Sequence, residues 1–239
     1  MKTILHKAKE RGHANHGWLD SYHSFSFSNF YNAEKVHFGA LRVLNDDTVK
    51  AGYGFGKHPH DNMEIVSIPL YGDLAHNDST GRNEIIRQND VQIMSAGSGI
   101  THSEMNANKD KEVKFLQVWV FPKEYDIIPR YEQKTFDPQE RINKIQTVVA
   151  PDNKEAVFIN QDAWFSLGSF DKDFETIYQV KKDSNGVYAF VLEGEVEING
   201  EKLGRRDALG IWETGIINIK AAANTQVLLI DVPMNVKEN

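Results

Sequence analysis

Short apolar runs rich in Val, Ile, Phe and Tyr recur along the chain, broken by Gly, Asn and Asp. They fall at His37 to Leu44, Glu64 to Leu70, Val91 to Ser95, Val113 to Phe121, Val187 to Leu192 and Gln226 to Val232. Many short runs punctuated by turn formers predict a sandwich or barrel rather than alternating helices and strands. Stretches with helical periodicity are scarce. Asn199-Gly200, set between Val196–Ile198 and a following Glu-Lys-Leu, predicts a tight hairpin, because such a turn needs positive φ at both central residues. The rhythm stops between Pro122 and Lys144, where Pro122, Pro129 and Pro138 mix with many charged residues. Proline removes a ladder donor and fixes φ, so this segment reads as an extended connector. Strand-like runs resume at Thr147. The expected organisation is all-β, with two β-barrel or jelly-roll domains packed together: residues 1–125, a connector over 126–145, and residues 146–239.

Composition narrows the function classes. The 239 residues are 40% hydrophobic and include 13 Phe, enough for a real core. A formal charge of -7 argues against broad attraction to nucleic acid or to an anionic membrane, both of which need a basic surface. There is no cysteine, which removes disulfides, zinc ribbons and cysteine nucleophiles. Any metal site must be built from His and carboxylates. The first eighteen residues carry no apolar secretory stretch and no later run reaches membrane-span length, so a soluble cytoplasmic protein is expected.

Nine histidines are present, and their placement carries more than their number. On a strand, His58 and His60 point the same way, with Cα atoms roughly 6.5–7 Å apart. Two imidazoles so placed can converge on one ion through ligand bonds of about 2 Å. Glu64 shares their parity, as do Val66, Ile68 and Leu70. An isolated H-x-H pair is as often two polar side chains near a strand end. A second dyad changes the balance: His102 and Glu104, again two apart, follow a glycine-rich turn at Gly97 and Gly99.

These motifs resemble the cupin superfamily. Gly52, His58, His60, Glu64 and Gly72 follow the first cupin motif, with the last glycine one position late. Ser95-Ala96-Gly97, His102 and Asn106 follow the second, with Ser95 for its proline, Asn89 for its glycine, and two extra residues before the histidine. The departures are similar to those of the pirin branch. Bacterial pirin-like proteins share the segments Arg11 to Asp20, Phe25 to Phe27, Leu41 to Asp47, Gly54 to Ile65, Ser95 to Glu104 and Pro129 to Gln133. The likeness is close over the first 135 residues and looser through Leu192 to Leu203 and Val227 to Pro233. It implies a bicupin whose N-terminal domain alone binds metal, through His58, His60, His102 and Glu104. Spacing by itself does not separate Glu104 from Glu64; the resemblance selects Glu104 and leaves Glu64 beside the ligands or in the pocket.

The resemblance also implies a function. Bacterial pirin-like proteins are associated with quercetin 2,3-dioxygenase activity, the opening of a flavonol ring by O2 with release of carbon monoxide. One divalent cation is implied, Fe(II) first, with Mn, Co, Ni, Cu or Zn compatible with the donor set. Glu104 is then the expected base for the flavonol 3-hydroxyl proton, and Phe and Trp residues would wall the pocket. Eukaryotic pirins resemble metal- and redox-responsive proteins that bind transcription regulators, so a protein partner is the alternative, without direct nucleic-acid binding.

Other candidates read as structural. His13, His16 and His23 match no strand pair, and the expectation is that their segment packs against the barrel. His76 is a lone histidine near the expected metal mouth, Asp78 and Ser79 read as turn residues, and Trp119 and Trp164 as core or domain-interface residues. No histidine follows His102, so the second domain is expected to be structural or lid-like.

Overall fold

Side-chain alternation along the strands decides what each half of the molecule faces. The computed structural model describes residues 1–236. In the first half, a seven-stranded sheet runs in the order Arg130–Thr135, Asp90–Ser95, Glu64–Tyr71, Val113–Val120, Leu41–Val49, Leu19–His23, Gly12–Asn15. A four-stranded sheet, Gly54–His60, Ile100–Asn106, Leu74–Asp78, Asn83–Ile86, closes over it. Leu19, Val49, Val113 and Phe115 of the large sheet meet Leu74 and Ile86 of the small one, sealing one end of this barrel.

The second half repeats the plan with seven strands led by Asn185–Glu193 and Thr225–Pro233, and four led by Ile216–Ala221 and Phe174–Gln179. The molecule is a two-domain cupin fold with 3-10 turns as its only helical elements among the described residues. None of these is long and apolar enough to cross a membrane.

The two large sheets pack back to back. Val66, Ile68, Leu116 and Val118 of the first join Val149, Phe165, Tyr188, Phe190 and Leu228 of the second in one buried cluster. Strands covered on both faces need apolar residues at successive positions, which is why these segments read as continuous runs.

Several sequence expectations are corrected. Residues 130–135 are a strand of the first sheet, paired with Asp90–Ser95 from Arg130↔Ser95 to Thr135↔Asp90. It is an edge strand, which tolerates Pro129 and Pro138 just outside its ends. Lys2–His6 pairs with Ala208–Trp212 and so belongs to the second half's sheet. The run at His37 begins its strand only at Leu41, because the chain turns at Gly39, whose φ is +50 and whose missing Cβ would collide with the Pro233 carbonyl. The Asn199-Gly200 hairpin forms as expected, with φ of 49 and 88.

Candidate metal centre and its cavity

Strand Ile100–Asn106 positions the site. Its even-numbered residues are buried and its odd ones more open. His102 pairs with His58 on one neighbouring strand and with Asp78 on the other, while Glu104 pairs with Phe55 and with His76. An irregularity in the Gly54–His60 ladder shifts the register between these points. The result is a compact triangle of imidazoles. Ring centroids lie 4.4 Å apart for His58 and His102, 4.9 Å for His58 and His60, and 5.0 Å for His60 and His102. One ligand atom from each of the three lies within 4.8 Å of the others.

Hydrogen bonding leaves these rings poised for a cation. His58 Nδ1–H donates to the Gly56 carbonyl at 2.7 Å, which leaves Nε2 with a free lone pair. His102 is 2% exposed, yet neither ring nitrogen has a partner. A buried imidazole with no hydrogen bond is costly unless something else takes its lone pair. Burial, helped by the neighbouring His58, lowers the pKa of His60 to about 4. Burial and the same cluster of rings take His102 down to about 2. Both rings are neutral at physiological pH and ready to ligate.

Glu104 lies at the foot of the cluster, 1% exposed. Ser67 Oγ–H donates to its Oε1 at 3.1 Å and Gln117 Nε2–H to its Oε2 at 2.5 Å. Burial outweighs these bonds and pushes the carboxyl up to about 7. His76 is nearer than its isolated place in the sequence suggests. It forms a second close trio with His102 and Glu104. Its Nε2–H donates to Asp78 at 2.8 Å, and its buried Nδ1 has no partner. Asp78, expected in a turn, instead ends strand Leu74–Asp78; its carboxylate accepts from the Thr80 backbone N–H in the turn that follows and orients His76. The shared strand parity of His76 and Asp78 is the signal that could have placed them inside.

Glu64 is not in this pocket. Its carboxylate accepts from Ser95 Oγ–H at 2.8 Å and from the Asn160 backbone N–H at 3.1 Å, tying the first domain to the second. The parity argument fails because the strand ends at His60 and the chain bends through Asn62, which has φ of 44. After the bend, Val66 and Ile68 join the inter-domain core, and Glu64 reaches Asn160 of the second domain.

A cavity of about 350 Å³ opens beside His58 and His60. Trp18, Phe27, Phe55 and Trp119 supply apolar walls. Trp119, expected to be core, packs its ring 4.8 Å from His60 and donates Nε1–H to Gln117. His16 and His23, expected to be packing residues, also line the cavity, whereas His13 stays outside it and pairs with Asp20. Trp164 is buried and donates to Asp152, as a core residue would.

Known proteins resemble this chain over nearly its whole length. Residues 5–120 match the Pirin family model, and residues 147–232 match the quercetinase C-terminal cupin domain. A protein of Escherichia coli strain K12 named quercetin 2,3-dioxygenase is 44% identical, over 96% of this chain and 98% of its own length. The chain belongs to the pirin family. A pirin-like protein of Caulobacter vibrioides is 36% identical over 92% of this pirin and 95% of its own length. The crystal structure of the bacterial pirin YhhW from Escherichia coli in complex with nickel(II) superposes with a TM-score of 0.92 at 42% identity, covering 98% of this chain and all of that one. A quercetin 2,3-dioxygenase from Acinetobacter baumannii, at 19% identity and a TM-score of 0.76, shares the fold. The two overlapping clusters, His58, His60 and His102 and then His76, His102 and Glu104, offer nitrogen and carboxylate donors of the kind that take first-row divalent ions.

Proposed function

We propose that this pirin is a metal-dependent dioxygenase that opens the heterocycle of a flavonol with O2 and releases carbon monoxide. His58, His60, His102 and Glu104 would hold the ion, Fe(II) first among the candidates. The observation that carries this reading is the partnerless, buried His102 between His58 and His60, beside a cavity walled by aromatic rings. A bound redox-capable cation supplies Lewis acidity toward an enolic oxygen and the electron exchange that O2 chemistry needs.

The chain's own groups do the rest. Trp18, Phe27, Phe55 and Trp119 hold a flat aromatic ligand and keep water from its face. Glu104, ionised once it holds the cation, would lie beside the bound oxygen to accept the 3-hydroxyl proton. Ser67 and Gln117 fix the carboxylate for that transfer. The names borne by the Escherichia coli and Pseudomonas aeruginosa relatives point to the same chemistry. The histidine cluster opens on a ligand-sized hollow rather than on a flat surface, which favours a small aromatic substrate over a protein partner.

The test is turnover. Protein reconstituted with Fe(II), Mn(II), Co(II), Ni(II), Cu(II) or Zn(II) is mixed with a flavonol in air, and flavonol absorbance and carbon monoxide are followed. At least one metal should give turnover that the His58→Ala/His60→Ala variant lacks. If no metal raises turnover above that variant, the oxygenase reading falls.

A further inference from the structure

The cavity has a second polar wall that the metal cluster does not explain. Strands Leu19–His23 and Leu41–Val49 pair with Ser21 opposite Asp47 and His23 opposite Asn45. All four side chains are at most 3% exposed, and all four line the cavity. They lie on the large sheet, whereas His58 and His60 belong to the small sheet across the barrel. Four polar residues in a block on an inner barrel face need a reason, since an apolar block would pack without desolvation cost.

Counting hydrogens shows what is missing. The Ser21 hydroxyl donates its one hydrogen to Asp47. Burial pushes the Asp47 carboxyl up to about 7. Above that pH it is ionised, and His23 Nε2, 2.8 Å from Ser21 Oγ, then donates to the hydroxyl. That tautomer leaves His23 Nδ1 as a bare acceptor, and Nδ1 is buried with no partner. On the residue opposite in the ladder, Asn45 Oδ1 is likewise buried with no partner. The ladder continues through Gln117, whose bonds run to Glu104 and Trp119 and not to Asn45. Two acceptors without a donor, on paired residues of one cavity wall, form a site for a hydroxyl hydrogen.

We infer that His23 and Asn45 form a recognition pole that selects ligands carrying a ring hydroxyl away from the oxygen held at the histidine cluster. The ligand class is a planar polyphenol, and the pole fixes which way round it enters the cavity. This rests on the flavonol reading above and adds a specificity element to it. Ser21 and Asp47 act through His23, by holding its tautomer. A hydroxyl filling such a pole gains more than its own hydrogen bond, because an analogue without it leaves buried acceptors unpaired.

The experiment measures binding without turnover. Anaerobic, metal-loaded protein is titrated with 3-hydroxyflavone and with its 5,7-dihydroxy and 3′,4′-dihydroxy derivatives, following quenching of tryptophan fluorescence. The wild-type chain should bind at least one dihydroxy derivative roughly tenfold tighter than 3-hydroxyflavone. In His23→Phe and in Asn45→Leu that affinity ratio should collapse towards one, while His23→Gln, which keeps an acceptor, should restore part of it. Thermal melts identify any variant that fails to fold, and the wild-type ratio and the remaining variants then decide. A wild-type ratio near one with turnover intact overturns the pole and leaves the oxygenase reading standing. A clear hydroxyl preference without turnover does the reverse. A ratio that persists in both His23→Phe and Asn45→Leu, or no binding of any of the three flavonols, also overturns the pole.

Discussion

Burial strips protons from His60 and His102 well below neutral pH but keeps one on Glu104 up to about 7. For Glu104 to ligate, that proton must leave, so acid opposes metal uptake at this carboxyl. Below about pH 7, metal affinity should fall by up to roughly tenfold per pH unit on account of this one proton. In Glu104→Gln the affinity should be weaker and its pH dependence one proton shallower, as measured by competition titration between pH 5 and 8. Equal slopes in the two proteins would mean that Glu104 stays off the ion. The histidine dyad was legible in the sequence because strand parity holds over three residues. Glu64 was misplaced because the same parity was carried across the bend at Asn62. The cavity roles of His23 and Trp119 are not legible in the sequence, because nothing local says which face of a strand looks into a cavity.

Close approach of two strands holds the elements of the site together. Gly54 begins the strand that carries His58 and His60, and its backbone lies against Glu104 and Met105 of the next. A Cβ there would run into the Glu104 carbonyl and the Met105 backbone, whereas one at Gly56 would meet open space. Gly54→Ala should therefore cost about 1–3 kcal/mol and weaken metal binding, with Gly56→Ala nearly neutral in both. Thermal melts and metal titrations of the pair check this. The main strands were visible as apolar runs, and the Asn199-Gly200 turn as a hairpin. The edge strand Arg130–Thr135 was not. Its residues are only half-buried and mostly polar or charged, so its pairing with Asp90–Ser95 comes from the sheet it joins rather than from its own pattern.

Across the whole molecule, the largest buried cluster lies between the domains rather than inside either one. Residues from both large sheets meet there, Lys2–His6 is paired into the second domain, and Glu64 bonds to Asn160. The sequence pointed to two β domains but could not show that they share a core, because a run buried between sheets looks like one buried within a barrel. Phe190→Ala, in that shared cluster, should cost about 3–5 kcal/mol and lower one common calorimetric transition. Two separated transitions in the wild-type protein would show that the domains unfold independently. The proposed chemistry requires four side chains, drawn from two strands, to share an ion that faces the aromatic cavity. Anomalous diffraction from iron- or nickel-loaded crystals tests that directly. One peak about 2.0–2.2 Å from nitrogens of His58, His60 and His102 and an oxygen of Glu104 is the predicted result. A peak seated on His76 and Asp78 away from His58 and His60, or no peak in the barrel, would contradict it.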